Sequence, residues 1–130
     1  MPDLDLPPDQ VASKWVPGFV TPSAPEFLKR ELHDLIAGFD PAGMRPMIHA
    51  LAEADLSDSI SHVNVPTLLI WGDQDVRSPV AVGHELQKAI PGARLEVVPR
   101  VGHLTQLEAG EAVNALLKGF FTRVAAAPAG

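Results

Sequence analysis

The sequence predicts an α/β fold in which a helical layer precedes the last strands and helices of a parallel sheet. Three observations predict it. Thr67-Leu68-Leu69-Ile70-Trp71 is a short, uninterrupted apolar run closed by Gly72, the pattern of a strand buried on both faces of a parallel sheet. A second short segment, Arg94 to Val98, is β-branched at Val97 and Val98 and is separated from the first by a stretch of helical spacing. Before Val65 the apolar residues instead recur at helical intervals, broken by prolines.

Taken in order, the elements read as follows. Pro2, Pro7, Pro8, Pro17, Pro22 and Pro25 crowd the start, and because proline fixes φ and removes a donor, this stretch is expected to be irregular. At most a short helix fits around Gln10 to Trp15, with Trp15 and Phe19 packing against something. A first clear helix is expected from Ser23 as N-cap, with Pro25 in its first turn and Leu28, Leu32, Leu35, Ile36 and Phe39 on one face. Asp40 and Pro41 open a second helix carrying Met44, Met47, Ile48 and Leu51, in which Pro46 predicts a break or a late start. Asp55 and Asp58 read as a solvated turn. After the first strand, a helix is expected from Pro79 to Ile90, stopped by Pro91-Gly92. After the second strand, a last helix is expected from Glu108 to Thr122. Val113, Leu116, Leu117, Phe120 and Phe121 would form its buried stripe, with Glu108 and Glu111 in the first turn and Arg123 at the end, as the helix dipole favours. Strand, helix, strand, helix is the crossover unit of a parallel sheet. The domain organisation expected is a helical cap-like segment over 1–62, a sheet-forming core segment over 63–124 and a disordered tail over 125–130.

Composition narrows the function. The 130 residues suit one domain, and 46% hydrophobic with 20% charged residues is ordinary for a globular protein. The net charge is −6 and the ten Lys and Arg are scattered, which argues against nucleic acid and against anionic membrane surfaces as partners. There is no cysteine, so disulfides, thiolate metal sites and a Cys nucleophile are excluded. No apolar run reaches transmembrane length and Met1-Pro2-Asp3 lacks the character of a signal peptide, so a cytoplasmic protein is expected.

Two turns carry chemistry. Trp71-Gly72-Asp73-Gln74-Asp75 ends the first strand, and Val101-Gly102-His103 follows the second. Ligands collect at the carboxyl ends of strands in open α/β sheets, so both turns lie where a site would form. A carboxylate on one strand end can orient an imidazole on the next while the other ring nitrogen takes a proton from a nucleophile. Taken singly, Asp75 reads as a turn residue or helix N-cap, and a Gly-His pair as a loop. Joined in this order on consecutive strand ends, they read as an acid and its histidine. His33, His49, His62 and His84 have no metal-ligand spacing and read as surface or packing residues. Met44 and Met47 read as core fillers. No G-x-G-x-x-G occurs, so no nucleotide cofactor is expected, and with no H-x-x-x-H or clustered carboxylates no metal is expected either.

The stretch from Val65 to Asp75 resembles the seventh strand and acid turn of α/β-hydrolases. Val98 to Leu104, with Glu108 and the terminal helix, resembles their last strand, histidine loop and closing helix. The resemblance is specific over Val65 to Phe121. Over Ser23 to Ile60 it is to the later part of a helical cap, with Ala52-Glu53-Ala54-Asp55-Leu56 similar to the return from cap to core in lactonase-like and esterase-like members. In that family the triad runs nucleophile, acid, histidine along the chain. The resemblance therefore implies Asp75 as the catalytic acid and His103 as the catalytic general base, 28 positions later, with Asp73 in the less usual position for the acid.

The nucleophile is not among these residues. No G-x-S-x-G elbow occurs, nor an equivalent with Asp at its centre. Ser13, Ser23, Ser57, Ser59 and Ser61 fall in cap-like segments or loops, and Ser78 shares a turn with Asp75. The expectation is a C-terminal fragment of a capped α/β-hydrolase acting on an ester, lactone or similar small acyl substrate, inactive alone. If the absent elbow held Asp, the parent chemistry would be that of a haloalkane dehalogenase or epoxide hydrolase. The alternatives are a non-catalytic interaction module and a truncated relic of the same fold. Exposing one face of the Leu68–Trp71 strand would forfeit roughly 1.5–3 kcal/mol per large side chain, and an open strand edge invites pairing. The chain is therefore expected to associate with a missing N-terminal half or with itself.

Overall fold

The structure, a computed structural model, describes residues 2–126. Residues Pro2–Asp5 form a single 3-10 turn, followed by α1 (Pro8–Phe19), α2 (Glu26–Ala37), α3 (Pro41–Glu53) and the short α4 (Ser57–Ser61). Next come β1 (Leu68–Gly72), α5 (Val80–Ala89), β2 (Arg94–Val98), the one-turn α6 (Thr105–Glu108) and α7 (Gly110–Ala126). β1 and β2 are parallel, with Leu68 opposite Arg94 and Gly72 opposite Val98. They form a two-stranded sheet among the described residues. The expected α/β architecture, a helical layer followed by the end of a parallel sheet, is present.

The N-terminal layer is more regular than the prolines predict. α1 runs for 12 residues rather than the few expected around Gln10 to Trp15. Pro8 sits in the first turn, where its missing N–H would have no intrahelical acceptor, whereas Pro17 leaves the Ser13 carbonyl without its helical donor and the helix ends two residues later, at Phe19. α2 starts at Glu26 with Pro25 as its N-cap, not at Ser23, whose hydroxyl lies 3.0 Å from that of Thr21. α3 is continuous through Pro46 instead of breaking there. Its start is fixed by Asp40, which accepts a hydrogen bond from the Ala42 N–H at 3.0 Å. The expected turn at Asp55 holds an extra helical turn, α4, because Asp55 accepts from both the N–H and the hydroxyl of Ser57.

The closing helix differs too. It starts beyond Glu108, with α6 as a separate turn before it, and extends through Ala125 and Ala126, two positions expected in the tail. The rest of that tail, 127–130, lies outside the described residues.

The main apolar cluster lies in the helical layer, where Val11, Val16 and Val20 pack against Leu28, Leu32 and Ile36. In the sheet, Leu68 to Trp71 are half-buried rather than covered on both faces. α5 covers one face, and it comes so close at Gly83 that a Cβ there would lie 3.1 Å from the Trp71 ring. Of the stripe expected on the last helix, Val113 is buried, while Phe121 is exposed. No described helix is long and apolar enough to cross a membrane.

Candidate active site

The site is assembled where β1 and β2 end side by side. The turn after β1 is laid onto the end of β2 by main-chain bonds, Asp73 N–H to the Val98 carbonyl at 3.1 Å and Gln74 N–H to the Val101 carbonyl at 2.9 Å. The two aspartates of this turn face different partners. Asp73 accepts from the N–H groups of Arg100 at 2.5 Å and Val101 at 3.3 Å, and so holds the loop after β2. Arg100 sits there with φ of 60°, a left-handed conformation that a non-glycine residue adopts only when its surroundings fix it.

Asp75 points the other way. Its Oδ2 lies 2.8 Å from Nδ1 of His103. Its Oδ1 accepts from the N–H groups of Arg77 and Ser78, both at 2.9 Å. The Asp75 side chain is 4% exposed and that of His103 35% exposed. A carboxylate only accepts, so Nδ1 carries the proton and Nε2 keeps its lone pair. Among the described residues no group hydrogen-bonds Nε2. The arrangement can therefore take up a proton at Nε2 and stabilise the imidazolium through Asp75. A shallow cavity of about 160 Å³, lined by Ile70, Trp71, Gly72, Asp75, His103 and Thr105, adjoins the pair.

The helical layer reaches this site at its other side. The Phe19 ring lies 5.8 Å from the His103 ring. The guanidinium of Arg77 stacks 4.0 Å above Phe19. Leu104 donates its N–H to the Phe19 carbonyl at 3.0 Å. Glu108, expected in the first turn of the closing helix, instead folds back on the loop. Its Oε1 accepts from Gly102 N–H at 2.8 Å, and its Oε2 accepts from Thr21 N–H at 2.9 Å and the Thr21 hydroxyl at 2.5 Å.

No family model matches the sequence. The chain is 31% identical over 110 residues to a pimeloyl-(acyl-carrier protein) methyl ester esterase of Neisseria meningitidis, covering 85% of this chain and 35% of that protein. It is 34% identical over 113 residues to 3-oxoadipate enol-lactonase 2 of Acinetobacter baylyi, covering 86% of this chain and 41% of that one. An esterase structure from Exiguobacterium antarcticum superposes on 92% of this chain and 44% of its own, with a TM-score of 0.82 and 25% identity. The enol-lactonase structure from Burkholderia xenovorans superposes on 93% and 49%, with a TM-score of 0.81 and 25% identity.

The chain is a partial α/β-hydrolase.

It spans less than half the length of each of these proteins. Within this α/β-hydrolase segment, Asp75 and His103 are brought together and Asp73 is kept apart from the histidine. Ser78 is a turn residue, donating its N–H to Asp75 and accepting at its carbonyl from Trp71 Nε1 at 2.6 Å.

Serine–histidine contacts lie away from the site, at Ser13–His33 and Ser61–His62. Ser13 Oγ is 3.2 Å from His33 Nε2, with Asp34 3.5 Å from the other ring nitrogen. Ser13 is mid-helix, where the surrounding N–H groups are committed to helical carbonyls, so nothing there can hold a developing oxyanion. His62 donates from Nδ1 to the Asp58 carbonyl at its own helix end, at 2.6 Å, and His49 and His84 are exposed. Among the described residues no group of three or more His, Asp or Glu gathers in a way that could hold a metal ion.

The bonds of Glu108 to Gly102 and Thr21 were missed by sequence reasoning, which placed Glu108 beside the histidine loop without a partner. A glutamate six residues after Gly102 is the only written signal for the first, and nothing in the local sequence marks the second.

Proposed function

We propose that this chain supplies the acid and the general base of a hydrolytic triad. Asp75 fixes the tautomer of His103, and Nε2 of His103 activates a serine hydroxyl carried by a segment outside these residues. The reaction is hydrolysis of an ester, lactone or similar small acyl substrate. The observation that carries the reading is the 2.8 Å bond between the buried Asp75 carboxylate and Nδ1, with Nε2 left without a hydrogen-bond partner among the described residues and a cavity lined by both side chains. Kinship with esterases and an enol-lactonase supports the substrate class. The division into a cap-like 1–62 and a core-forming 63–124 belongs to the same proposal, as does association with the strands that carry the nucleophile.

The test is complementation. The full 130-residue chain is co-expressed with the N-terminal portion of the meningococcal esterase, and hydrolysis of short-chain aryl esters and enol lactones is measured. The chain alone is expected to show background rates and the pair to turn over. His103→Ala should return the pair to background, and Asp75→Asn should lower kcat by up to about 10⁴-fold, as loss of the correct tautomer does in such triads. Turnover that survives His103→Ala overturns the reading.

A stable complex without turnover would favour the non-catalytic interaction module, for which the half-covered sheet is the supporting observation. Turnover of haloalkanes or epoxides with an Asp-bearing partner would move the parent chemistry to those classes.

A further inference from the structure

We propose that Glu108 is a positioning residue for His103, acting through the Gly102 main chain on one side of the imidazole and joining it to Thr21 in the helical layer, whose neighbour Phe19 holds the main chain on the other side. The proposal rests on the reading of His103 as a general base.

The residues that flank His103 in sequence are Gly102 and Leu104, and both have their N–H groups tied down. Gly102 donates to Glu108 Oε1 at 2.8 Å, and Leu104 donates to the Phe19 carbonyl at 3.0 Å. The second Glu108 oxygen takes both donors of Thr21, a buried residue two positions beyond Phe19. The loop carrying the imidazole is thus moored at two points to the segment that ends α1. No Lys, Arg or His forms an ion pair with Glu108 among the described residues, so its charge is met by three N–H and O–H donors. Bonds of that kind, to an ionised acceptor, are stronger and shorter than neutral ones.

The seat admits little else. A Cβ at Gly102 would lie 2.8 Å from Glu108 Oε1 and 3.2 Å from the Thr21 nitrogen. A glutamine at 108 has one acceptor oxygen where the site presents donors on both sides. Its amide would have to face either Gly102 N–H or the Thr21 pair with a donor. One mooring is lost in either orientation. Displacement of a base by about 1 Å is enough to lower a rate about 100-fold.

The experiment uses the full chain labelled with ¹⁵N at histidine. The wild-type His103 ring is expected in a single Nδ1-protonated tautomer at neutral pH, with a slowly exchanging, downfield Nδ1 proton. In Glu108→Gln and in Thr21→Val, the ring should become a tautomer mixture and that proton should be lost, while the His33 and His62 signals stay in place. Thr21→Ser, which keeps the hydroxyl, should restore the wild-type His103 signal.

In the complemented hydrolase, Glu108→Gln should lower kcat by at least 10-fold with KM changed less than 2-fold. A wild-type His103 spectrum in Glu108→Gln overturns the proposal. If that variant does not fold, a wild-type spectrum in Thr21→Val overturns it. Absence of turnover with the wild-type chain would count against the triad reading alone, because the tautomer measurement needs no nucleophile.

Discussion

At Gly72 two strands' ends nearly touch. A Cβ there would lie 2.2 Å from the Gly102 carbonyl oxygen and 2.3 Å from that of Val101, and both are main-chain atoms that cannot rotate away. Gly72→Ala is therefore expected to push the histidine loop off the acid turn and to destabilise the chain by at least about 1–3 kcal/mol, read as a fall in melting temperature. Asp3 gives a residue-scale prediction with a pH sign. Its carboxyl is held below the usual range, chiefly by the hydrogen bond from Lys14 and then by that from Trp15. A depressed folded-state value means stability that is present above the unfolded pKa, near 4, and lost as pH falls through the folded one. Asp3→Asn should remove that small contribution at neutral pH and leave the strongly acidic end unchanged, so that the acid side of the melting-temperature profile becomes flatter. Asp75 and His103 were legible at this scale because their meaning lies in chain order at strand ends. The bond between Glu108 and Thr21 was not, since the two are 87 positions apart and no local pattern joins them.

Among the elements, stability is unevenly spread. α1 and α2 share the main apolar cluster, whereas α3 buries Met44 and leaves Met47 and Leu51 exposed. α3 is tied back mainly by Arg45, which donates to the Leu4 carbonyl at 2.9 Å and to Asp5. Amide hydrogen exchange should accordingly be fastest in α3 and α4 and slowest in α1 and α2. Pro46→Ala should slow exchange within α3 severalfold, because it supplies the missing N–H and removes a helix penalty of up to about 3 kcal/mol; unchanged protection would show that Pro46 costs the helix nothing. The elements that the sequence announced best, β1, α5 and β2, are those whose apolar pattern is set by a sheet. α1 was hidden by counting prolines without weighing position. Pro8 lies in a first turn, where a missing donor does little harm, and Pro17 lies so near the C-terminal end of α1 that it costs one helical bond without ending the helix early.

For the whole molecule, the decisive feature is a sheet of two strands whose apolar residues are half-covered. Val97 is 41% exposed and Phe121 62% exposed, so apolar surface meets water on elements that the sequence reads as interior. The isolated chain should bind an apolar dye and sediment as a concentration-dependent mixture, and the N-terminal portion of a relative should raise its melting temperature. A monomer at all concentrations with a sharp melt and no dye binding would sink that expectation.

The bond between Thr21 and Glu108 also sets a timetable. At about 5–20 residues per second, a ribosome that has just released Thr21 needs roughly 4–17 seconds more to deliver Glu108. α1 and α2 can pair long before then, so the nascent helical layer must wait with one rim of the histidine's cradle exposed. The histidine loop is moored to the helical layer only once Glu108 arrives, with α7 still to follow, so the seat of His103 is completed long after α1 and α2 are made.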